Sequence, residues 1–171
     1  LPGRAMTGTL LPPDIIDLAT RVVEENRAAG RKIAVAESCT GGLVCAALTE
    51  ISGSSSVLDR GFITYSNEAK MEQLGVSQDI IETFGAVSIA CVWAMAQGAL
   101  KNSNADIAVA ISGVAGPGGG TPTKPVGTVV FARAIRGQDA EPEGELKNFG
   151  DLGRGGIRGQ ATLCALELLL P

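Results

Sequence analysis

Residues 33–51 read IAVAESCTGGLVCAALTEI, and this stretch decides the fold. Its first part, with Lys32 ahead of it, is apolar and β-prone, and predicts a short buried strand over 32–36. Glu37, Ser38, Cys39, Thr40, Gly41 and Gly42 follow as a small, polar connection. The remainder, LVCAALTEI, predicts a helix at about 41–51. A strand that empties through such a connection into a helix is a βα unit. The first N–H groups of a helix lack intrahelical partners and attract developing negative charge. Ser38 and Cys39 are therefore candidate nucleophiles at a strand's end, with Ser38 preferred. The chain contains no histidine, so a nucleophile's proton must pass to another group, and lysine is the first candidate. The bland alternative for the same residues is helix capping by Ser and Thr hydroxyls.

Outward from this unit, helices and strands alternate. Pro12-Pro13-Asp14 introduces a helix whose apolar residues Ile15, Leu18, Ala19, Val22 and Val23 recur at helical spacing, and Gly30 ends it. Beyond the first βα unit, Gly53-Ser54-Ser55-Ser56 predicts a turn and GFITYS, 61–66, a strand. Asn67 is the expected cap of a short helix through Leu74. SQDIIETF and SIACVWAMAQGALKNS predict two further helices separated at Gly85, the second capped by Ser88. IAVAIS after Asp106 predicts a buried strand that empties into GVAGPGGGTPTKPVG, 113–127. TVVFARAI, 128–135, is another strand, followed by a polar turn and an edge strand at ELKNFG. A helix over about 156–170 closes the sequence. The pattern predicts one domain over 1–171, a three-layer α/β/α sandwich with a mixed, mostly parallel sheet. Residues 1–12 are expected to be a flexible or expression-derived segment.

With 171 residues, 45% of them hydrophobic, the chain has enough apolar material for one sizeable core. Aromatics contribute only 4% and glycine numbers 23, so that core is built from Ala, Val, Ile and Leu. A net charge of −4 argues against nucleic-acid and anionic-membrane partners. The four cysteines show no C-x-x-C spacing, and Cys45, Cys91 and Cys164 lie within apolar helical patterns as small hydrophobes. Reduced thiols, no apolar run of spanning length and no signal segment lead to an expected cytoplasmic location. Without histidine or paired cysteines, neither a metal nor a cofactor is expected.

Three segments follow strand ends, where open α/β sheets place their ligand crevice: 37–42, 65–70 and 112–121. In the second, TYSNEAK offers Lys70 as a general base, a role that requires a neutral amine and hence burial. Tyr65 is a candidate to relay a proton or orient Lys70. The third matches neither a P-loop nor a dinucleotide fingerprint, yet its backbone N–H groups are suited to an anion. Its bland alternative is a hairpin connection. Arg154 and Arg158 flank the start of the last helix, as anion partners or as solvent-facing charges.

In order, AESCTGG (36–42), GSSSVLDRGFITYSNEAK (53–70), LGV (74–76), FGAVS (84–88), AISGVAGPGGGTPTKPVGTV (110–129) and IRGQATLCALELL (157–169) resemble the C-terminal domain of the competence/damage-inducible CinA-type proteins. That family includes nicotinamide-nucleotide amidases. The resemblance implies an α/β/α fold and hydrolysis of the carboxamide of nicotinamide mononucleotide by a serine–lysine dyad. It implies Ser38 as nucleophile, with Ser55 in reserve, Lys70 as base and Tyr65 beside them. Glu37, Thr40, Gly41 and Gly42 are the substrate-binding residues it implies in the first segment. Ser55, Ser112, Gly113, Gly116 and Arg158 complete that set, with Arg158 as the anion partner. Two residues depart from the family pattern: Ser112 stands where threonine is frequent, and the Gly-Asp-Arg ahead of the last helix reads Gly150-Asp151-Leu152-Gly153-Arg154. The expected partner is a small nucleotide substrate, and a homo-oligomer is the expected assembly. The alternatives are a nucleotide-binding regulator without turnover and an amidase for another small amide.

Overall fold

The computed structural model describes residues 8–138 and 142–171. The expectation for the opening segment therefore lies outside the described residues over 1–7, as does the middle of the polar turn at 139–141. Helix α1 (Pro13–Ala29) starts on a proline, tolerated there because the first helical N–H has no partner to lose. It ends on Gly30 in the left-handed conformation, as the sequence predicts. There follow β1 (Ile33–Glu37), α2 (Leu43–Thr49), a single 3₁₀ turn (Ser54–Ser56) and β2 (Leu58–Ile63). Three helices come next: α3 (Asn67–Leu74), α4 (Gln78–Phe84) and α5 (Ile89–Lys101). Strands β3 (Ile107–Gly113), β4 (Thr128–Ile135) and β5 (Glu143–Asn148) precede α6 (Gly153–Leu168).

The five strands form one mixed sheet in the order β2-β1-β3-β4-β5. β1 pairs in parallel with β2 and β3, and β3-β4 and β4-β5 are antiparallel. Ile33, Val35, Ile107, Val109, Ile111, Val129 and Phe131 face a core shared with α1, α2 and α6. Ala34, Ala36, Ala108, Ala110, Val130, Ala132 and Ala134 face α3, α4 and α5. The alanine-rich second face admits α5 close to the sheet, which accounts for a core with few aromatics. Among the described residues no helix is long and apolar enough to cross a membrane.

Two boundaries differ from the sequence expectations in an instructive way. β2 begins three residues earlier than GFITYS and stops at Ile63, and the cap of α3 is Ser66, not Asn67. Ser66 Oγ accepts from Ala69 N–H at 3.0 Å, so the chain has left the sheet by that residue. Likewise Ser77 and Ser88 cap α4 and α5 through bonds to Ile80 and Cys91 N–H.

The topology positions the site. The chain leaves the C-terminal end of β1 toward β2 and leaves that of β3 toward β4. Connections that diverge from neighbouring strands open a crevice between them. Ser38 sits at its base, where its N–H extends the β1-β3 ladder by donating to Ile111 C=O at 3.0 Å.

Candidate active site

Alternation along β1 carries Ser38 to the same face as Ala34 and Ala36, the face covered by α3–α5. Lys70 and Leu74, one helical turn apart, are the buried residues of α3, so Lys70 enters that crevice from the helical layer. Its side chain is 1% exposed and its Nζ lies 3.0 Å from Ser38 Oγ, itself on a residue only 7% exposed. The same Nζ donates to Thr64 C=O at 2.8 Å and to Tyr65 C=O at 3.0 Å. A neutral amine has two N–H groups and one lone pair. The two carbonyls use both donors, which leaves the lone pair for the Ser38 hydroxyl. Burial strips the ammonium of its hydration and lowers the Lys70 pKa, outweighing the upward pull of the Cys91 and Cys39 thiols. Among the described residues no carboxylate forms an ion pair with it.

Cys39 faces the other way. It belongs to the α1/α2/α6 core, and burial pushes its thiol up to about 11. A thiol held protonated in the core is a poor nucleophile, so geometry separates the two candidates that the sequence left side by side.

The connection that follows differs from expectation. The α2 N-terminus is filled by the protein itself, because Glu37 accepts from Gly42, Val44 and Cys45 N–H at 3.2, 3.0 and 3.1 Å. Thr40 Oγ1 donates to the same carboxylate at 2.6 Å. Glu37 is fully buried, with its oxygens committed to four donors, so it organises the connection and is withdrawn from the substrate-binding set. The Thr40 hydroxyl is committed with it. The readable signal was a helix entered through Gly41-Gly42, which has no capping side chain of its own. Both glycines have positive φ, 58° and 106°, which L side chains rarely adopt.

Ser112 is buried at the end of β3, on the same face as Ser38, beside Gly113 at the mouth of the glycine-rich loop. Gly116 accepts from Arg154 Nη1 at 2.7 Å. Arg154 Nη2 also donates to the Tyr65 hydroxyl at 3.2 Å. Tyr65 therefore meets Lys70 through its backbone carbonyl, while its half-exposed ring points to Arg154. Arg158 is half-buried and donates to Cys39 C=O at 3.0 Å and Thr40 C=O at 3.3 Å. Ser55 is not brought to this group. It lies in the 3₁₀ turn ahead of β2, beside Gly53, whose missing Cβ would come 3.0 Å from Arg27 at the end of α1. That is the opposite end of the parallel strands, roughly 15 Å away at the rise of an extended chain. A serine placed before a strand and one placed after its parallel neighbour cannot share a site.

Thr64 was not singled out as a site residue, and Arg154 was read only as either an anion partner or a solvent-facing charge. Thr64 is fully buried, gives Lys70 its shortest bond and leaves its own Oγ1 without a partner. Its signal was positional, as the residue just past a strand end. Among the described residues no cluster of three or more His, Cys, Asp or Glu gathers to hold a metal ion.

Fold and site together define an α/β protein with a buried serine–lysine pair at the divergence of two parallel strands. Residues 15–171 match the model of the CinA C-terminal domain, and the chain belongs to that family. A competence-damage inducible protein of Caldicellulosiruptor saccharolyticus is 50% identical over 148 residues, 86% of this chain but 35% of the relative. The chain thus spans about a third of that relative's length. The nicotinamide-nucleotide amidohydrolase PncC of Escherichia coli K12 is 46% identical over 159 residues, 91% of this chain and 93% of the relative. The crystal structure of the competence/damage inducible protein CihA from Agrobacterium tumefaciens superposes with a TM-score of 0.91 at 48% identity, covering 95% of this chain and 97% of that one.

Proposed function

We propose that this chain hydrolyses the carboxamide of nicotinamide mononucleotide to nicotinate mononucleotide and ammonia, with Ser38 as nucleophile and Lys70 as its base. The observation that carries the reading is the 3.0 Å approach of a buried Lys70 Nζ to Ser38 Oγ, with both other amine contacts made to carbonyls. The name of the E. coli relative, which shares nearly its whole length with this chain, supports the substrate class.

Lys70 takes the Ser38 proton as Oγ attacks the carboxamide carbon, and the carbonyl oxygen becomes an oxyanion held by backbone N–H groups after Ser38. The protonated Lys70 returns its proton to the departing nitrogen, the C–N bond breaks and ammonia leaves an acyl-Ser38 ester. Water, deprotonated by Lys70, then attacks the ester and restores the Ser38 hydroxyl. Ser112, Gly113 and Gly116 line the crevice on the β3 side, and the nucleotide's phosphate lies along the 113–127 loop.

Ammonia release from nicotinamide mononucleotide tests this, with calorimetric binding measured alongside. Ser38→Ala and Lys70→Ala are expected to lose at least about 10³ in turnover while still binding product, and Cys39→Ala is expected to retain it. Undiminished turnover in Ser38→Ala, or its abolition in Cys39→Ala, overturns the reading. A wild type that binds but never releases ammonia favours a binding-only protein.

A further inference from the structure

Ser38 C=O accepts from Gly41 N–H at 3.0 Å, which makes 38–41 a β-turn with Cys39 and Thr40 at its centre. The orientation of the central peptide distinguishes one turn type from another. Here Thr40 follows that peptide, and among the described residues none other than glycine has a positive φ, so the 38–41 turn is not the flipped, type II arrangement. Arg158 acts on the same peptide. Its Nε donates to Cys39 C=O, which belongs to that peptide, and its Nη2 to Thr40 C=O, which belongs to the next one. α6, which carries it, packs on the α1/α2 side of the sheet, the side opposite Ser38 Oγ and Lys70.

A trans peptide is planar, and its C=O and N–H point in opposite directions. A guanidinium that draws the Cys39 carbonyl toward α6 therefore turns the Thr40 N–H away from α6, toward the layer holding Ser38 Oγ and Lys70 Nζ. Neighbouring amides in this connection are committed: Ser38 to Ile111, Gly41 to Ser38, Leu43 to Thr40, and Gly42, Val44 and Cys45 to Glu37. Among the described residues the Cys39 and Thr40 N–H groups donate to no protein acceptor.

We infer that Arg158 is a positioning residue: by holding the Cys39 carbonyl it aims the Thr40 N–H at the oxyanion formed when Ser38 attacks. This rests on Ser38 being the nucleophile, as proposed above. It differs from the sequence expectation of Arg158 as a partner for the substrate's anion: two of its five N–H donors go to the backbone, and the two roles are told apart by experiment.

The two roles separate kinetically. A group felt only through the oxyanion changes kcat, whereas one that binds the ground-state phosphate changes KM. Arg158→Met is expected to lower kcat for nicotinamide mononucleotide on the order of 10²-fold, the scale of one lost oxyanion donor, with KM within about threefold. Arg158→Lys, which keeps one donor, is expected to recover part of the loss. Phosphonylation of Ser38 by a fluorophosphonate, in which Oγ bonds to phosphorus, Lys70 takes the proton and fluoride leaves, is followed by intact mass; it supplies a second readout that needs no nucleotide, and it is expected to slow in parallel. The nucleoside lacking the phosphate checks the alternative: its penalty relative to the nucleotide stays the same in Arg158→Met.

A raised KM with kcat preserved, a vanished phosphate penalty, or an unchanged phosphonylation rate in Arg158→Met overturns the inference. Wild-type protein that is phosphonylated at Ser38 but does not release ammonia sinks the substrate reading alone, and the phosphonylation comparison still decides the role of Arg158. Wild-type protein inert to both removes the nucleophile, and the two readings fall together.

Discussion

At the scale of the residue, Lys70 holds the most consequence. A long cationic side chain 1% exposed, with two carbonyls and a hydroxyl as partners and no carboxylate, is costly as an ammonium and comfortable as an amine. Because burial lowers its folded pKa below that of the unfolded chain, the unfolded state binds more protons throughout the interval between the two values. Stability therefore rises with pH from the folded Lys70 pKa up to the unfolded value of about 10.4, and the cost is greatest below that interval. Urea unfolding of wild type and Lys70→Met is expected to show wild type gaining on the variant as pH is raised from 6 to 10. A flat or falling difference contradicts a buried, neutral-prone lysine. The same titration is expected to give turnover a limb that rises with pH, set by loss of the Lys70 proton at a pH below the usual lysine value. Spacing in TYSNEAK placed Lys70 near a strand end, and the absence of histidine raised its standing. Neither could show burial, because Lys70 is packed against α5 and against Ser38 at the end of β1, both distant in sequence.

At the scale of the element, α3 delivers Lys70 only because α5 lets it approach. Gly98, in the middle of α5, faces the backbone at the end of α3, and a Cβ there would stand 2.0 Å from Leu74 C=O. In an isolated helix, Gly→Ala stabilises by up to about 1 kcal/mol. Here the contact is with backbone that cannot rotate away, and overpacking of this kind costs about 1–3 kcal/mol. Gly98→Ala is thus expected to be net destabilising in chemical denaturation and to depress turnover by shifting α3. A stabilised variant refutes this packing. Most elements were legible in the sequence, since caps and periodicity are local: Gly30 and Ser88 act as read. The α2 start was not, since its cap is Glu37, a residue of the preceding strand that is buried by the packing of the βα unit.

At the scale of the whole molecule, Arg154 joins three segments that are far apart in the chain: α6, the glycine-rich loop at Gly116 and the β2-α3 junction at Tyr65. These bonds are largely exposed, so their net worth to global stability is small. Arg154→Ala is expected to leave the melting temperature nearly unchanged while amide exchange over 113–121 speeds up. Equal protection in the variant means the loop is held by its own turns, such as Thr121 N–H to Lys124 C=O. What the sequence alone determined is the order of the elements and the α/β class, for these rest on apolar period and glycine placement within short windows. Only the tertiary structure decided which serine meets the lysine, which way Cys39 turns and where the two arginines spend their donors. Along the chain Ser38 is the preferred serine and Ser55 the reserve. Parallel pairing of β1 with β2 puts one past the end of a strand and the other before the start of its neighbour, and thereby sends them to opposite ends of the sheet.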